Sequence, residues 1–79
     1  MKMKKVFVHL IIEGEANWIN EYYHFDRIPS EGEYLATKAN GDWYKVKLVL
    51  HSPFAKEMNA DIYAVKVNQT EEIRKKLNN

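Results

Sequence analysis

Hydrophobic and polar side chains alternate along much of this chain, which is the period of a β-strand with two different faces. The alternation is clearest over residues 4–13 and 43–51, and strand-forming side chains also fill residues 18–25, 33–38 and 61–67. Val, Ile, Tyr, Phe and Trp, which are enriched in strands, dominate these segments. The pattern therefore predicts five β-strands.

The segment 18–25 allows a second interpretation. Trp18, Tyr22 and Phe25 also fall at the spacing of one helix face. Because aromatic side chains dominate the segment and tyrosine is a poor helix former, we favour the strand over the helix.

Turn-forming residues separate the predicted strands. Asn40-Gly41 lies between the third and fourth strands, and an Asn-Gly pair readily takes the positive φ angles of a type I′ hairpin turn. After the fourth strand, Ser52 and Pro53 suit the N-cap and first position of one helical turn over residues 54–58.

The last segment, residues 69–77, is predicted to be a short helix. Asn68 can cap it, and Glu71 stands at the position of a capping-box carboxylate. Ile73 and Leu77 share one face of this helix. Because so short a helix is marginal alone, we expect that face to pack on the sheet.

These elements predict a mainly β fold. We expect a five-stranded antiparallel meander that forms a small bent sheet or barrel, with a short C-terminal helix. The turn Pro29-x-x-Gly32-Glu33 followed by a tight hairpin is similar, over residues 25–67, to SH3-like small barrels. That likeness concerns the fold alone. A length of 79 residues predicts a single domain over 1–79.

Alternation also predicts which side chains form the core. The aliphatic faces of the first and fourth strands consist of Val6, Val8, Leu10, Ile12, Tyr44, Val46, Leu48 and Leu50. The opposite faces then carry His9, Trp43 and His51, and a single β-bulge would reverse part of this assignment.

Composition and charge exclude several classes of function. The chain has no cysteine, which removes disulfides, thiolate metal sites and thiol nucleophiles. Its 12 basic and 11 acidic side chains are intermixed, so the basic stripe typical of duplex DNA binding is missing. The apolar run over residues 6–12 is too short to span a membrane and lacks a signal-peptide cleavage site. We expect a cytoplasmic protein.

The chain shows no constellation of catalytic residues. Ser30 and Ser52 each adjoin a proline, where turn and cap roles explain them. His9, His24 and His51 lack the local spacing of metal ligands. We therefore predict no enzymatic activity, no metal and no cofactor.

The aromatic side chains are the strongest indication of function, because Trp and Tyr are enriched among binding hot spots. The predicted binding residues are Trp18, Tyr22, Trp43, Lys45, Lys47 and His51. They predict a non-catalytic interaction module, a small accessory protein of the kind that phages and mobile elements encode, which binds a protein partner or itself as a homodimer. The alternative is a small barrel that binds single-stranded nucleic acid, with Lys45 and Lys47 contacting phosphates.

Overall fold

The computed structural model describes residues 3–56 and 58–77, which form a five-stranded sheet and one helix. The strands are β1 (Lys4–Ile11), β2 (Ile19–Phe25), β3 (Tyr34–Ala36), β4 (Trp43–His51) and β5 (Ala60–Val67), and the helix is α1 (Gln69–Leu77). Each element lies in a segment for which the sequence pattern predicts it. The segment over residues 18–25 is a strand, as favoured over a helix.

The sheet has the strand order β2-β1-β5-β4-β3 and curls into a half-barrel. This confirms the predicted mainly β fold with five strands, a bent sheet and a short C-terminal helix. The connectivity differs from an antiparallel meander in one respect, because β5 lies between β1 and β4 and runs parallel to β1. Ala60, Ile62 and Ala64 of β5 are fully buried, as expected for the central strand of the sheet.

One face of the sheet, the inner face, carries the hydrophobic core. Its buried side chains come from β1, β4 and β5: Val6, Val8, Leu10, Tyr44, Val46, Ala60, Ile62 and Ala64. Ile12, Tyr23, Phe25, Ile28, Leu35 and Val49 pack against them as half-buried neighbours. The opposite side is the outer face. For β1, the alternation predicted from sequence is confirmed.

A β-bulge at Lys47 changes the second half of β4. Val46 pairs with Ala64, whereas Leu48 pairs with Tyr63, so Lys47 is an extra residue between two regular stretches. Beyond it, Leu48 and Leu50 lie on the outer face and remain 59% and 58% exposed. Their predicted place in the core is therefore wrong.

The same bulge places His51 on the side of the inner face, opposite Ala60, where it is exposed. The prediction that His51 shares a face with His9 and Trp43 is wrong for this reason. Alternation cannot indicate an extra residue, since it assumes an unbroken period of two.

The connection between β3 and β4 is also longer than predicted. It covers residues 37–42, and of the Asn-Gly pair only Asn40 has a positive φ, at 60°. The Gly41 N–H donates to the Lys38 carbonyl at 3.1 Å. The type I′ turn is therefore wrong, because a six-residue connection does not need the tight twist of a two-residue hairpin.

Gly41 is still required by close packing. A Cβ atom at this position would lie 2.7 Å from Cγ of Lys38 and 3.1 Å from its carbonyl oxygen. An alanine would force the Lys38 side chain and the turn to move.

Ser52 begins a turn and not the predicted helical turn. The Ala55 N–H donates to the Ser52 carbonyl at 3.1 Å, and the Ser52 N–H donates to the Asn59 carbonyl at 3.0 Å. Residue 57 of the predicted 54–58 segment lies outside the described residues, and the described ones form turns and bends.

Helix α1 begins as predicted, because the Glu71 N–H donates to Oδ1 of Asn68 at 3.0 Å. None of its nine residues is buried, and Leu77 remains 77% exposed. Ile73 is also exposed, so the expected packing of the Ile73–Leu77 face on the sheet is wrong. The helix is instead held by a hydrogen bond from the Tyr34 hydroxyl to the Glu72 carboxylate. No helix in the described residues is long and apolar enough to cross a membrane.

Candidate interaction surface

The outer face around β1 collects four of the ten Phe, Tyr and Trp side chains near the β2 edge. The alternation that buries Val6 and Val8 directs Phe7 and His9 outward. Phe7 pairs with Tyr22 of β2, and His9 lies opposite both Asn20 of β2 and Tyr63 of β5. With Trp18, which precedes β2, these residues form an aromatic cluster, defined here as Phe7, His9, Trp18, Tyr22 and Tyr63.

The rings of the aromatic cluster pack in two stacked pairs. Phe7 and Tyr22 stack with centroids 4.5 Å apart, and His9 and Tyr63 stack at 4.4 Å. Phe7 meets His9 edge to face at 4.7 Å, which links the two pairs. Trp18 packs its edge against Tyr63 at 6.1 Å. Stacked and edge-to-face pairs are the favoured aromatic geometries, so the rings of the cluster pack favourably against one another.

A polar group stands at the centre of the cluster. Nδ1 of His9 lies 2.6 Å from Oδ1 of Asn20, and Nε2 lies 3.0 Å from Oδ1 of Asp61. The side chains of His9 and Asp61 are only 13% and 14% exposed. Because both ring nitrogens have protein partners, His9 has none left for a metal ion or a substrate proton. Its contacts instead join β2, β1 and β5.

Apolar side chains continue the surface across the sheet. Leu48 lies opposite Tyr63, and Leu50 lies opposite Asp61. Trp18 and Tyr22 are 48% and 46% exposed, and the two leucines more than half. We call the aromatic cluster together with Leu48 and Leu50 the outer patch. It extends over four strands, from β2 through β1 and β5 to β4.

The six residues that the sequence predicts for binding do not lie together. Trp18 and Tyr22 belong to the outer patch. Trp43 and Lys45 share its face of the sheet but lie beside β3. Lys47 is the bulged residue, and His51 is on the inner side. The structure therefore brings two of the six predicted residues into the surface described here.

Trp43 and Lys45 belong to a second group that attaches α1. The ring centroids of Tyr34 and Trp43 are 5.9 Å apart, and Nζ of Lys45 lies 5.8 Å from the Tyr34 centroid. The hydrogen bond between Tyr34 and Glu72 raises the pKa of the Tyr34 phenol and lowers the pKa of the Glu72 carboxyl. These side chains thus fix the helix to the β3–β4 end of the sheet.

The segment between β2 and β3 is held by an exposed ion pair. Arg27 donates to Glu33 through both terminal nitrogens, with Nη1 at 3.0 Å from Oε1, and the Ser30 N–H donates to the same oxygen at 2.6 Å. The hydrogen bonds from Arg27, followed by that from Ser30, lower the pKa of Glu33 to about 2. The pair fixes the loop that covers one end of the inner face.

The three histidines do not converge. His24 pairs with Lys5 at the end of β2, two residues beyond the aromatic cluster, and His51 is on the other side of the sheet from His9. Within residues 3–56 and 58–77, no group of three His, Cys, Asp or Glu side chains is placed to hold a metal ion.

Sequence reasoning missed Leu48, Leu50 and the contact between His9 and Asp61. Sequence reasoning missed the leucines because the bulge moves them from the predicted inner face to the outer face. The contact joins residues 52 positions apart, and it requires the parallel register of β1 and β5.

Comparison of the chain with protein-family models, curated proteins and solved structures finds no match.

Proposed function

We propose that this chain is a non-catalytic protein-interaction module, a small cytoplasmic accessory protein that binds a protein partner or a second copy of itself through the outer patch. One observation carries the proposal. Trp18, Tyr22, Leu48 and Leu50 keep 46% to 59% of their surface exposed on a single face of the sheet. Contiguous apolar surface of this kind is characteristic of interaction sites.

The order of the outer patch supports binding. The aromatic rings are held by mutual stacking and by the two hydrogen bonds of His9. Side chains that are already fixed lose little conformational entropy when a partner covers them. Tyr and Trp in such positions are the side chains most often found at hot spots.

The border of the patch is polar, as in protein interfaces. Nζ of Lys5 lies 4.5 Å from the centroid of Tyr22, and the acidic Asp61 lies opposite Leu50 on the same face of the sheet. A mixed border suits a protein partner, whose own surface carries both charges. It suits a polyanion less well.

The test is a charged substitution within the apolar surface. Leu48→Lys places an ammonium group in the outer patch, while Leu77→Lys makes the same change on α1, where the leucine is 77% exposed. Self-association is measured by sedimentation equilibrium, and partner binding by quantitative capture from lysate of the source cells with wild type and both variants.

We expect Leu48→Lys to weaken self-association or partner capture at least tenfold, because a buried unpaired charge at an interface is strongly unfavourable. Leu77→Lys should behave like the wild type. The proposal would be contradicted if the wild type is monomeric and Leu48→Lys captures every protein that the wild type captures.

The second candidate function is binding of single-stranded nucleic acid. It is favoured by two lysines that lie over aromatic rings, Lys5 over Tyr22 and Lys45 over Tyr34, since base stacking beside a cation is typical of such sites. Fluorescence anisotropy with a labelled oligothymidine distinguishes the two. Micromolar affinity that falls steeply with salt and with Lys5→Ala would favour nucleic acid over a protein partner.

A further inference from the structure

The sheet has two edges, and they differ in how they are protected. The β3 edge is three residues long, and the helix is hydrogen-bonded to its first residue, Tyr34. The β2 edge is seven residues long. In the described part of the chain, no strand pairs with the free side of β2. Such an edge presents unpaired N–H and C=O groups that readily accept another strand.

Strand β2 carries few of the features that prevent pairing at an edge. It contains no proline, lysine or arginine, and its register with β1 runs without a bulge from Ile19 to Phe25. Its one carboxylate, Glu21, already accepts a hydrogen bond from the Tyr23 hydroxyl at 3.0 Å. The edge is therefore suited to pair with a further strand.

Exposure shows which part of the edge is free. Every residue from Trp18 to Tyr22 is exposed, whereas Tyr23 and Phe25 are half-buried against the core. Ile19 points to the inner side and still remains 44% exposed, because no neighbouring strand covers it.

We propose that β2 pairs with β2 of a second copy of this chain, antiparallel and centred on Asn20, so that two half-barrels form one continuous ten-stranded sheet. This register aligns the exposed segment 18–22 with itself. Residues directly opposite in an antiparallel pair share a face. Trp18 of each copy therefore lies opposite Tyr22 of the other copy. The two-fold axis thus relates two cross-strand aromatic pairs on the outer face.

Charge and burial select this register over its neighbours. With Asn20 at the centre, Glu21 lies opposite Ile19 of the second copy and covers its exposed side. A centre at Glu21 would set two carboxylates directly opposite each other, which is unfavourable. A centre at Tyr22 would align the half-buried Tyr23 and Phe25 with exposed residues and leave Trp18 unpaired.

This dimer differs from the interaction in the proposed function. It uses the edge of β2, whereas Leu48 lies three strands across the sheet, on β4. The edge pairing leaves Leu48 and Leu50 free and brings the outer patches of two copies side by side. Each interaction therefore has its own test.

The absence of cysteine from the chain permits a direct test by disulfide formation. In the proposed dimer, position 20 faces its own copy at a Cα separation of about 4.5 to 5.5 Å, which a disulfide can bridge. We expect Asn20→Cys to form a disulfide-linked dimer under mild oxidation. The matched control is His24→Cys, on the same face of the same strand, whose two copies are about 27 Å apart and should stay unlinked.

Two measurements do not depend on the folding of the cysteine variants. Sedimentation equilibrium of the wild type should give a dimer at submillimolar concentration. In Trp43→Phe, Trp18 is the remaining tryptophan, and its emission should shift to shorter wavelength as concentration rises and the dimer covers it.

A wild type that stays monomeric would overturn the edge dimer, as would equal cross-linking of Asn20→Cys and His24→Cys. A dimer that Leu48→Lys dissociates, without cross-linking at position 20, would overturn the edge pairing and support self-binding through the outer patch. A dimer that is retained by Leu48→Lys and cross-linked at position 20 supports the edge pairing.

Discussion

At the scale of single residues, Asp61 links strands that are far apart in the sequence. Its carboxylate holds His9, and His9 in turn holds Asn20, so one chain of hydrogen bonds crosses three strands of the outer face. The side chains of His9 and Asp61 are largely buried, and the rings of Phe7 and Tyr63 pack against His9. An enclosed polar group that loses its partner is costly, so this contact stabilises the fold as well as the patch.

We predict that Asp61→Asn lowers the free energy of unfolding by about 1 to 2 kcal/mol, because a charge-assisted hydrogen bond becomes a neutral one. The matched control is Asp42→Asn, which makes the same change in an exposed pair with Lys66 at 3.5 Å. That pair should contribute about 0.5 kcal/mol or less. Urea unfolding near neutral pH measures both, and equal effects would contradict the assigned role of Asp61.

Glu33 makes stability depend on pH in the acidic range. Its pKa in the folded protein is about 2, below its ordinary 4.5, because Arg27 and the Ser30 N–H stabilise the carboxylate. A lowered pKa means that the folded state favours the ionised form. The stabilisation is therefore fully present above pH 4.5 and is lost as the pH falls towards 2.

We predict that wild type unfolds at a higher urea concentration than Glu33→Gln near neutral pH, and that this difference disappears close to pH 2. Glu31→Gln, in the same turn, removes the same charge and serves as the control. A difference between wild type and Glu33→Gln that stays constant across this pH range would show that the ion pair is not its source.

At the scale of elements, the bulge in β4 decides which aliphatic side chains stabilise the core. One extra residue at Lys47 directs two leucines to the outer face and Val49 to the inner face. The same strand thus contributes to the core with its first half and to the outer patch with its second half. The bulge therefore contributes directly to the candidate surface.

Because of the bulge, we expect truncation of the smaller side chain, Val46, to destabilise the fold more than truncation of the larger one, Leu48. Val46→Ala should lower the free energy of unfolding by about 2 kcal/mol, because Val46 is fully buried. Leu48→Ala removes more carbon atoms but should change it by about 0.5 kcal/mol or less, because Leu48 is on the surface. Urea unfolding of the two variants checks this, and a larger effect at Leu48 would place it in the core, as unbroken alternation predicts.

The elements themselves could be predicted from sequence because their signals are local. The period of two in β1 and the N-cap at Asn68 both involve residues within a few positions of each other. The bulge and the central place of β5 could not, because they depend on which strands pair in space. For the same reason Trp18 and Tyr22 could be proposed for binding from residue type alone, while Leu48 required the register.

At the scale of the whole molecule, the half-barrel of this small protein leaves apolar side chains of its outer face uncovered. A chain of 79 residues buries a modest fraction of its area, and here the inner face takes the core while the outer face keeps aromatic and aliphatic groups. The nearly balanced charges give no general attraction to polyanions. Both proposals assign this remaining apolar and edge surface to contacts with protein.

The central position of β5 determines when the sheet can form during translation. The β1–β2 and β3–β4 hairpins leave the ribosome before β5, yet in the finished sheet no strand of one hairpin pairs with a strand of the other, because β5 lies between β1 and β4. Until residues 60–67 emerge, Val6 and Val8 of the first hairpin and Val46 of the second lack the strand that lies between them. Closure of such distant pairs is slow compared with hairpin formation. The nascent chain therefore carries two incomplete hairpins with exposed apolar side chains, which are suitable substrates for a chaperone, until β5 is synthesised.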